Sequence, residues 1–335
     1  MAQPPNRDNT PPEGGSDTAP HEPSMRRLWG SIIGVSLLVA VVGAFTVTAV
    51  GSDALPPATI SGTTVPGIPQ PKIAPSDFLP DRGAWIGMTS WPRDDDWSQA
   101  GIQRRWNDIE SAVGETLDIG HAYHRWNEEP LITWREEWNV EMGRMSLVSW
   151  SQTPVGPVVG GEWDTYIAEQ ADLVAAFGEP ILIRWFWEMD GRQRRAVADS
   201  PDAWIAAWRH IVGIFRDRGV VNAEFVWCPN AWAFDNGNGE PWYPGDEWVD
   251  WICADGYNWA PGREGASWDS FTRVFRSFYR WAEARGKPII IGETGAQERE
   301  PEEKAAWIAS LPEEMESSFP KIDAIVWFDT PVDHD

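Results

Sequence analysis

Two carboxylates are placed for chemistry by the residues around them. Glu188 lies near the end of the run ILIRWFWEMDG (Ile181–Gly191), which is apolar and β-rich up to Arg184, follows the stop signal at Gly178–Pro180 and breaks at Asp190 and Gly191. A side chain so placed emerges at a strand's C-terminal end. Among Trp185, Phe186 and Trp187 its carboxylate is poorly solvated, which favours the protonated form, raises its pKa and suits a general acid. Glu293 ends a second run, KPIIIGETG (Lys287–Gly295), where Pro288 opens a short β-branched stretch. Carboxylates reaching one cleft from opposite walls are what cleavage of a glycosidic bond needs: an acid for the leaving oxygen, and a nucleophile or base for the anomeric carbon. Either glutamate alone could simply pair with an arginine such as Arg184. The two together, at matching strand ends, are harder to explain as ion pairs.

The elements that would position them alternate regularly from Gly83 onward. Strand-like stretches fall at residues 84–88, 117–123, 145–150, 181–187, 223–228, 249–254, 288–291 and 322–328. Helical patterns fall at 102–113, 163–177, 203–218, 267–285 and 302–311, the last opened by Pro301 and a run of acids. Eight strands with intervening helices imply an α/β fold, a (β/α)8 TIM barrel, with reactive groups at the strands' C-terminal ends. Glu188 on strand four and Glu293 on strand seven then face each other across the mouth. After Phe328 seven residues remain, too few for the helix that normally follows strand eight. Either the chain is a fragment, or the last helix is absent and the seam is exposed or covered by the linker.

Ahead of the barrel the composition changes three times. Residues 1–27 are rich in Pro, Gly, Ser and charge and read as a disordered cytoplasmic tail. Residues 28–50 form an uncharged run long enough to cross a bilayer as a helix, preceded by Arg26 and Arg27, with no Lys or Arg after it until Lys72. This favours an uncleaved anchor with the rest of the chain extracytoplasmic; a cleaved signal segment and a secreted protein are the alternative. Residues 51–80 are Pro-rich and read as a semi-extended tether, and residues 81–335 as the barrel domain.

A net charge of -24 argues against nucleic acid, whose phosphates need basic surface. Trp is unusually frequent, at 24 of 335 residues against 5 Tyr, and Trp stacks well on the apolar face of a sugar ring. Roughly half of these are expected in the core and half in a cleft. Cys228 and Cys253 fall near the ends of neighbouring strands; buried free thiols are expected, with a disulfide as the alternative.

Three segments, RWFWEMDG on strand four, VDWICADGYNW on strand six and KPIIIGETG on strand seven, resemble glycoside hydrolase family 26 of the clan A barrel enzymes. The resemblance runs from about Asp81 to the C-terminus. It implies a retaining endo-β-glycanase with Glu188 as acid/base, Glu293 as nucleophile and Tyr257 as the tyrosine that hydrogen-bonds the nucleophile. The family usually has His where Trp187 stands and Asn where Asp190 stands. Losing the His removes a donor to substrate and leaves a more apolar wall, so mannan, mixed-linkage β-glucan and β-1,3-xylan all stay open as substrates.

Around the pair, Trp327 on strand eight is a candidate platform under the sugar, by position and by likeness to the clan. His121 and His124 follow strand two and could reach a sugar hydroxyl; with Asp118 they lack a spacing that dictates a metal site, and no metal or cofactor is expected. Arg184 and Trp187 complete the expected binding set, and Trp91, Trp150, Trp232 and Trp259 could form distal subsites. Asp94–Asp96 reads as a solvated loop, with calcium as an alternative. The expected mechanism is double displacement by a monomer acting on a polysaccharide, which places the two carboxyl groups about 5–5.5 Å apart. Two other readings remain: a membrane-tethered polysaccharide-binding protein without turnover, and an enzyme that processes the cell's own envelope polymer.

Overall fold

Strands buried on both faces need side chains that satisfy two cores at once, and the strands of this chain do so by alternation, broken at irregularities in β7 and β8. The structure, a computed structural model, describes residues 73–92 and 94–329. The tail, the apolar run 28–50 and most of the expected tether lie outside the described residues. Among the described residues no helix is long and apolar enough to cross a membrane.

The strands are β1 (Trp85–Ser90), β2 (Ile119–His124), β3 (Met145–Trp150), β4 (Ile181–Trp185), β5 (Ala223–Trp227), β6 (Trp251–Asn258), β7 (Ile289–Ala296) and β8 (Ile322–Asp329). All neighbours are parallel and the sheet closes into a barrel in sequence order. The seam is sealed by a ladder between β1 and β8 from Trp85↔Ala324 to Ser90↔Asp329. On β1, Ile86 is 39% exposed.

Inside the barrel lie Ile119, Leu147, Leu182, Val226, Ile290 and Val326. The alternate residues, among them Val148, Ile183, Phe225, Ile252, Ile291 and Ile325, pack against the helices. Phe78, on a short 3-10 turn at Pro75–Phe78 within the stretch expected as tether, is buried with the interior set.

The helical layer comprises α1 (Gln99–Val113), α2 (Trp134–Glu141), α3 (Val155–Val159), α4 (Asp164–Phe177), α5 (Arg195–Ala198), α6 (Pro201–Asp217), α7 (Phe271–Ala282) and α8 (Glu303–Ser318). Ser98, Ser200 and Ser270 cap α1, α6 and α7, each hydroxyl accepting from an N–H three residues on. Helix α2 was not foreseen, although Thr133 and Glu136 form the capping box that marks its start. Helix α8 was expected to stop before Pro312 and runs six residues past it, to Ser318. Pro312 and Ile308 are both exposed, so the carbonyl that Pro312 cannot bond is open to water.

The alternation corrects several expectations. Trp150 and Trp327 point outward into the helical layer, not into the mouth. Trp150 is fully buried and stacks on Trp126 with ring centroids 4.3 Å apart, while Trp327 meets Trp307 of α8 edge to face. His124 also points outward: its ring bonds the Pro130 carbonyl at 2.8 Å and Glu136 at 3.0 Å, so it ties β2 to α2 and cannot reach a sugar. Free thiols were expected at Cys228 and Cys253, yet the two are joined in a disulfide. The register that sets Trp227 against Ile252 brings these next two residues side by side within the barrel. Replacing Trp150 with Ala should therefore cost about 3–5 kcal/mol of stability. Urea melts should show that loss, with KM for substrate unchanged in the folded protein.

Candidate active site

Strand β4 ends at Trp185, two residues earlier than expected. Phe186 and Glu188 take left-handed backbone angles, with φ of 46° and 53°. That break lets Trp185 and Phe186 both pack outward while Trp187 turns into the mouth. The Glu188 N–H is held by the Cys228 carbonyl at 2.7 Å, which anchors the turn to the end of β5. Residues in such rare backbone conformations persist where the surroundings over-determine them, as they do at active sites.

Glu293 is delivered by an irregularity in β7. Pairing with β6 shifts register so that Asp255 faces Glu293, and pairing with β8 shifts between Ile291 and Thr294. A bulge of this kind re-aims a side chain. Gly292 permits it: a Cβ there would lie 2.5 Å from the Cys253 sulfur and 2.7 Å from Arg184 Nη1. No other residue fits without moving the base of the site.

Glu293 is 5% exposed and surrounded by donors. Tyr123 donates to Oε1 at 2.7 Å, Arg184 also donates to Oε1, and Tyr257 donates to Oε2. Burial, then the charge of Glu293, holds both tyrosine hydroxyls well above their ordinary pKa, so both remain neutral donors. Arg184 is fully buried beneath them. Its Nη1 donates to both oxygens of Asp255, at 2.8 and 3.0 Å, and its Nε to Ser149 Oγ at 2.7 Å. Burial opposes the guanidinium charge, but Asp255 and Glu293 outweigh it and raise the Arg184 pKa. Arg184 was expected to bind substrate; with no exposed surface it instead fixes Glu293.

His121 lies in the same buried layer, with Nε2 2.7 Å from Ser149 Oγ and 3.3 Å from Arg184 Nη2. Burial, then the positive charge of Arg184, lowers its pKa well below the usual value, so the ring is neutral. It supports the floor of the site.

Glu188 has the opposite environment. Its side chain is 23% exposed, and Arg194 Nη2 lies 3.4 Å from Oε2. Burial pushes its pKa up to about 7, opposed by Arg194 and reinforced by Glu293 and Asp190. The direction matches the sequence reading, but Trp185 and Phe186 are not the cause, since both face the helical layer. Trp187 is the aromatic residue that remains at the mouth, 8% exposed, with Arg184 and Arg194 over its ring at 5.2 and 4.5 Å and Tyr123 at 5.2 Å. Asp190, which stands where the family has Asn, accepts from Asn230 N and Nδ2 at 3.0 and 3.3 Å and thereby ties the β4 loop to the β5 loop.

The aromatic rim also differs from expectation. Phe328 fills the place expected of Trp327, edge-on to Tyr123, Tyr257 and Trp91. Trp259 lies 4.6 Å from Tyr257, and Trp91 5.6 Å from Trp97. Trp232, on a 3-10 turn after β5, is 46% exposed. The Asp94–Asp96 loop is solvated as expected, and Asp94 and Asp96 both pair with Arg104.

Sequence reasoning missed Tyr123, Asp255 and Arg194. The first two follow from period two, since His121 and Tyr123 share the inner face of β2, as Cys253, Asp255 and Tyr257 share that of β6. Removing only the Tyr257 hydroxyl, in Tyr257→Phe, deletes one charge-assisted hydrogen bond and should lower kcat by about 10–100-fold. Steady-state kinetics, with KM little changed, would check this.

A closed parallel barrel carrying one glutamate at the end of β4 and another at the end of β7, each in a distinct electrostatic setting, has the architecture of a glycoside hydrolase. Residues 145–308 match the model of glycosyl hydrolase family 26. The matched stretch runs from β3 into α8 and holds both glutamates. It is 31% identical over 265 residues to endoglucanase H of Acetivibrio thermocellus, an alignment that covers 73% of this chain and 27% of the relative. The chain thus spans about a quarter of that protein's length. The fold is shared with the catalytic domain of a family 26 endo-β-1,4-mannanase from Bacillus sp. JAMB-750, with a TM-score of 0.57 and 17% identity over 76% of this chain and 78% of that one. It is shared also with a family 26 β-mannanase from Bacteroides ovatus, with a TM-score of 0.53 and 18% identity over 74% and 81%.

Proposed function

We propose that the chain is a retaining endo-β-glycanase that hydrolyses β-linked polysaccharide by double displacement. The contrast between the two glutamates supports this most directly. Glu293 is surrounded by three donors, which hold a nucleophile in one orientation. Glu188 keeps its proton to near neutrality, as an acid must. Glu293 attacks the anomeric carbon while Glu188 protonates the departing oxygen. Glu188, now a base, takes a proton from the water that releases the sugar from Glu293. The Tyr257 and Tyr123 hydroxyls steady Glu293 before attack, one on each oxygen, so that once one oxygen is esterified the other still has a donor.

The polymer's backbone is a glucan or a β-mannan, the chains in the names of the endoglucanase and mannanase relatives. The uncharged run 28–50, behind Arg26 and Arg27, would hold the barrel at the outer face of a membrane. Release of reducing ends from mixed-linkage β-glucan, β-mannan, β-1,3-glucan and xylans is the test. Product from at least one polymer is expected. A folded protein that releases none while binding one of them would instead be a binding protein.

A further inference from the structure

The chain carries 51 acidic against 27 basic residues, so a guanidinium at its surface has carboxylates in excess. At the mouth most are taken. Arg105 is held by Asp329, Arg184 by Asp255 and Glu293, and Arg194 lies against Glu188. Arg263, on the loop after β6, is different: among the described residues no carboxylate lies within ion-pair distance of it. Its guanidinium instead lies over the ring of Trp259, 3.5 Å from the centroid.

The position is built into the loop. The Arg263 N–H bonds the Trp259 carbonyl at 3.0 Å, and the Arg263 carbonyl accepts from the Ala266 N–H at 3.0 Å. Next to it, Gly262 lies so close to Gln297 of the β7 loop that a Cβ would fall 1.9 Å from Gln297 Oε1. At the base of the loop the Asn258 side chain accepts from the Asp269 N–H. Trp259 in turn packs on Tyr257, which bonds Glu293. Arg263 is therefore an exposed, preorganised cation, connected to Glu293 through the rings of Trp259 and Tyr257. A guanidinium stacked on an indole is planar and has its edge N–H groups left to bind a carboxylate two-pronged.

We propose that Arg263 reads a carboxylate on the sugar bound beside Trp259, so that the substrate is an acidic β-glycan rather than a neutral one. The inference rests on the reading that this mouth binds a glycan, but not on turnover. The carboxylate belongs either to a uronic acid in the backbone or to an acidic acyl group attached to it; the ligand chemistry is the same. An arginine that served only to cover Trp259 would show no preference for charge.

The test is calorimetric titration of the full-length chain in non-ionic detergent at low salt. The probes are mixed-linkage β-glucan oligosaccharides in three forms: unmodified, oxidised at C6 to uronates, and succinylated. At least one acidic form should bind about tenfold more tightly than the neutral one, the worth of one charge-assisted hydrogen bond. In Arg263→Gln the ratio should fall to about one with neutral affinity unchanged, Arg263→Lys should recover part of it, and added salt should weaken it. Tighter binding of the uronate or of the succinyl ester identifies the source of the charge. Equal binding of all three forms, a preference that survives Arg263→Gln, or no binding of any form would overturn the proposal. Hydrolysis of the neutral glucan, followed in the same samples, keeps the two readings apart: turnover without acidic preference sinks this inference alone, and acidic preference without turnover sinks only the hydrolase.

Discussion

Glu293→Ala should lower kcat by about 10⁴-fold or more while substrate binding persists, because the covalent step has no second route. No other carboxylate can take its place. Asp255, which shares Arg184 with Glu293, is 1% exposed and committed to that arginine through both oxygens. Because Glu293 also pairs with the buried Arg184, circular dichroism of the variant must show that the loss does not come from unfolding. A small anion provides a second readout. Azide entering the space left by the carboxylate would attack the anomeric carbon from the same face and release an α-glycosyl azide from a β-linked aryl glycoside. A variant that kept more than a few per cent of kcat, or yielded no azide adduct despite binding, would show that Glu293 only positions substrate.

For Glu188→Gln the expected loss is about 10²–10⁴-fold on polysaccharide, the usual worth of a general acid. The leaving group should decide its size. A dinitrophenyl glycoside departs without protonation, so its first step should proceed nearly unimpaired, and the variant should accumulate the glycosyl enzyme because water lacks a base. The pH profile carries the same information with a definite sign. The Glu188 pKa is raised to about 7, so the acid form is present below that pH and is lost above it. Wild-type kcat/KM on polysaccharide should therefore fall about tenfold per unit above pH ~7, and that limb should be absent from Glu188→Gln. Persistence of the limb in the variant would assign the titration to another group. Arg194 matters here: it opposes the rise at Glu188, so Arg194→Gln should move the limb to higher pH.

Much of this site was legible in the sequence because barrel chemistry sits at strand ends, and strand ends are marked by glycine, proline and turn residues. ILIRWFWEMDG marked the end of β4 to within two residues, whereas the stretch 288–291 stops five residues short of the end of β7 at Ala296. Which face a side chain takes was harder to see. Trp327 and Phe328 are adjacent, and choosing between them needs the register of the whole of β8. Its small inner residues, Ala324 and Val326, put position 328 in the mouth and position 327 against α8. The same parity sends Trp150 and His124 outward and Tyr123 inward.

Other features depend on contacts distant in sequence. Arg184 is expected both as a partner for a glutamate and as a substrate ligand, and only the ring of Asp255, Glu293 and Ser149 around it decides for the internal role. The disulfide required knowing that Cys228 and Cys253 sit opposite each other across β5 and β6. Local pattern cannot supply that register, because a shift of one residue reverses every side chain.

Double displacement requires that Glu293 form a bond to the sugar. The configuration of the first product, followed by proton NMR within minutes of mixing enzyme and oligosaccharide, tests this before mutarotation blurs the answer. Double displacement at a β-linkage inverts the anomeric carbon twice, so the new reducing end should appear first as the β-anomer and drift towards equilibrium. First release of the α-anomer would mean a single displacement by water, and Glu293 would be its base rather than its nucleophile.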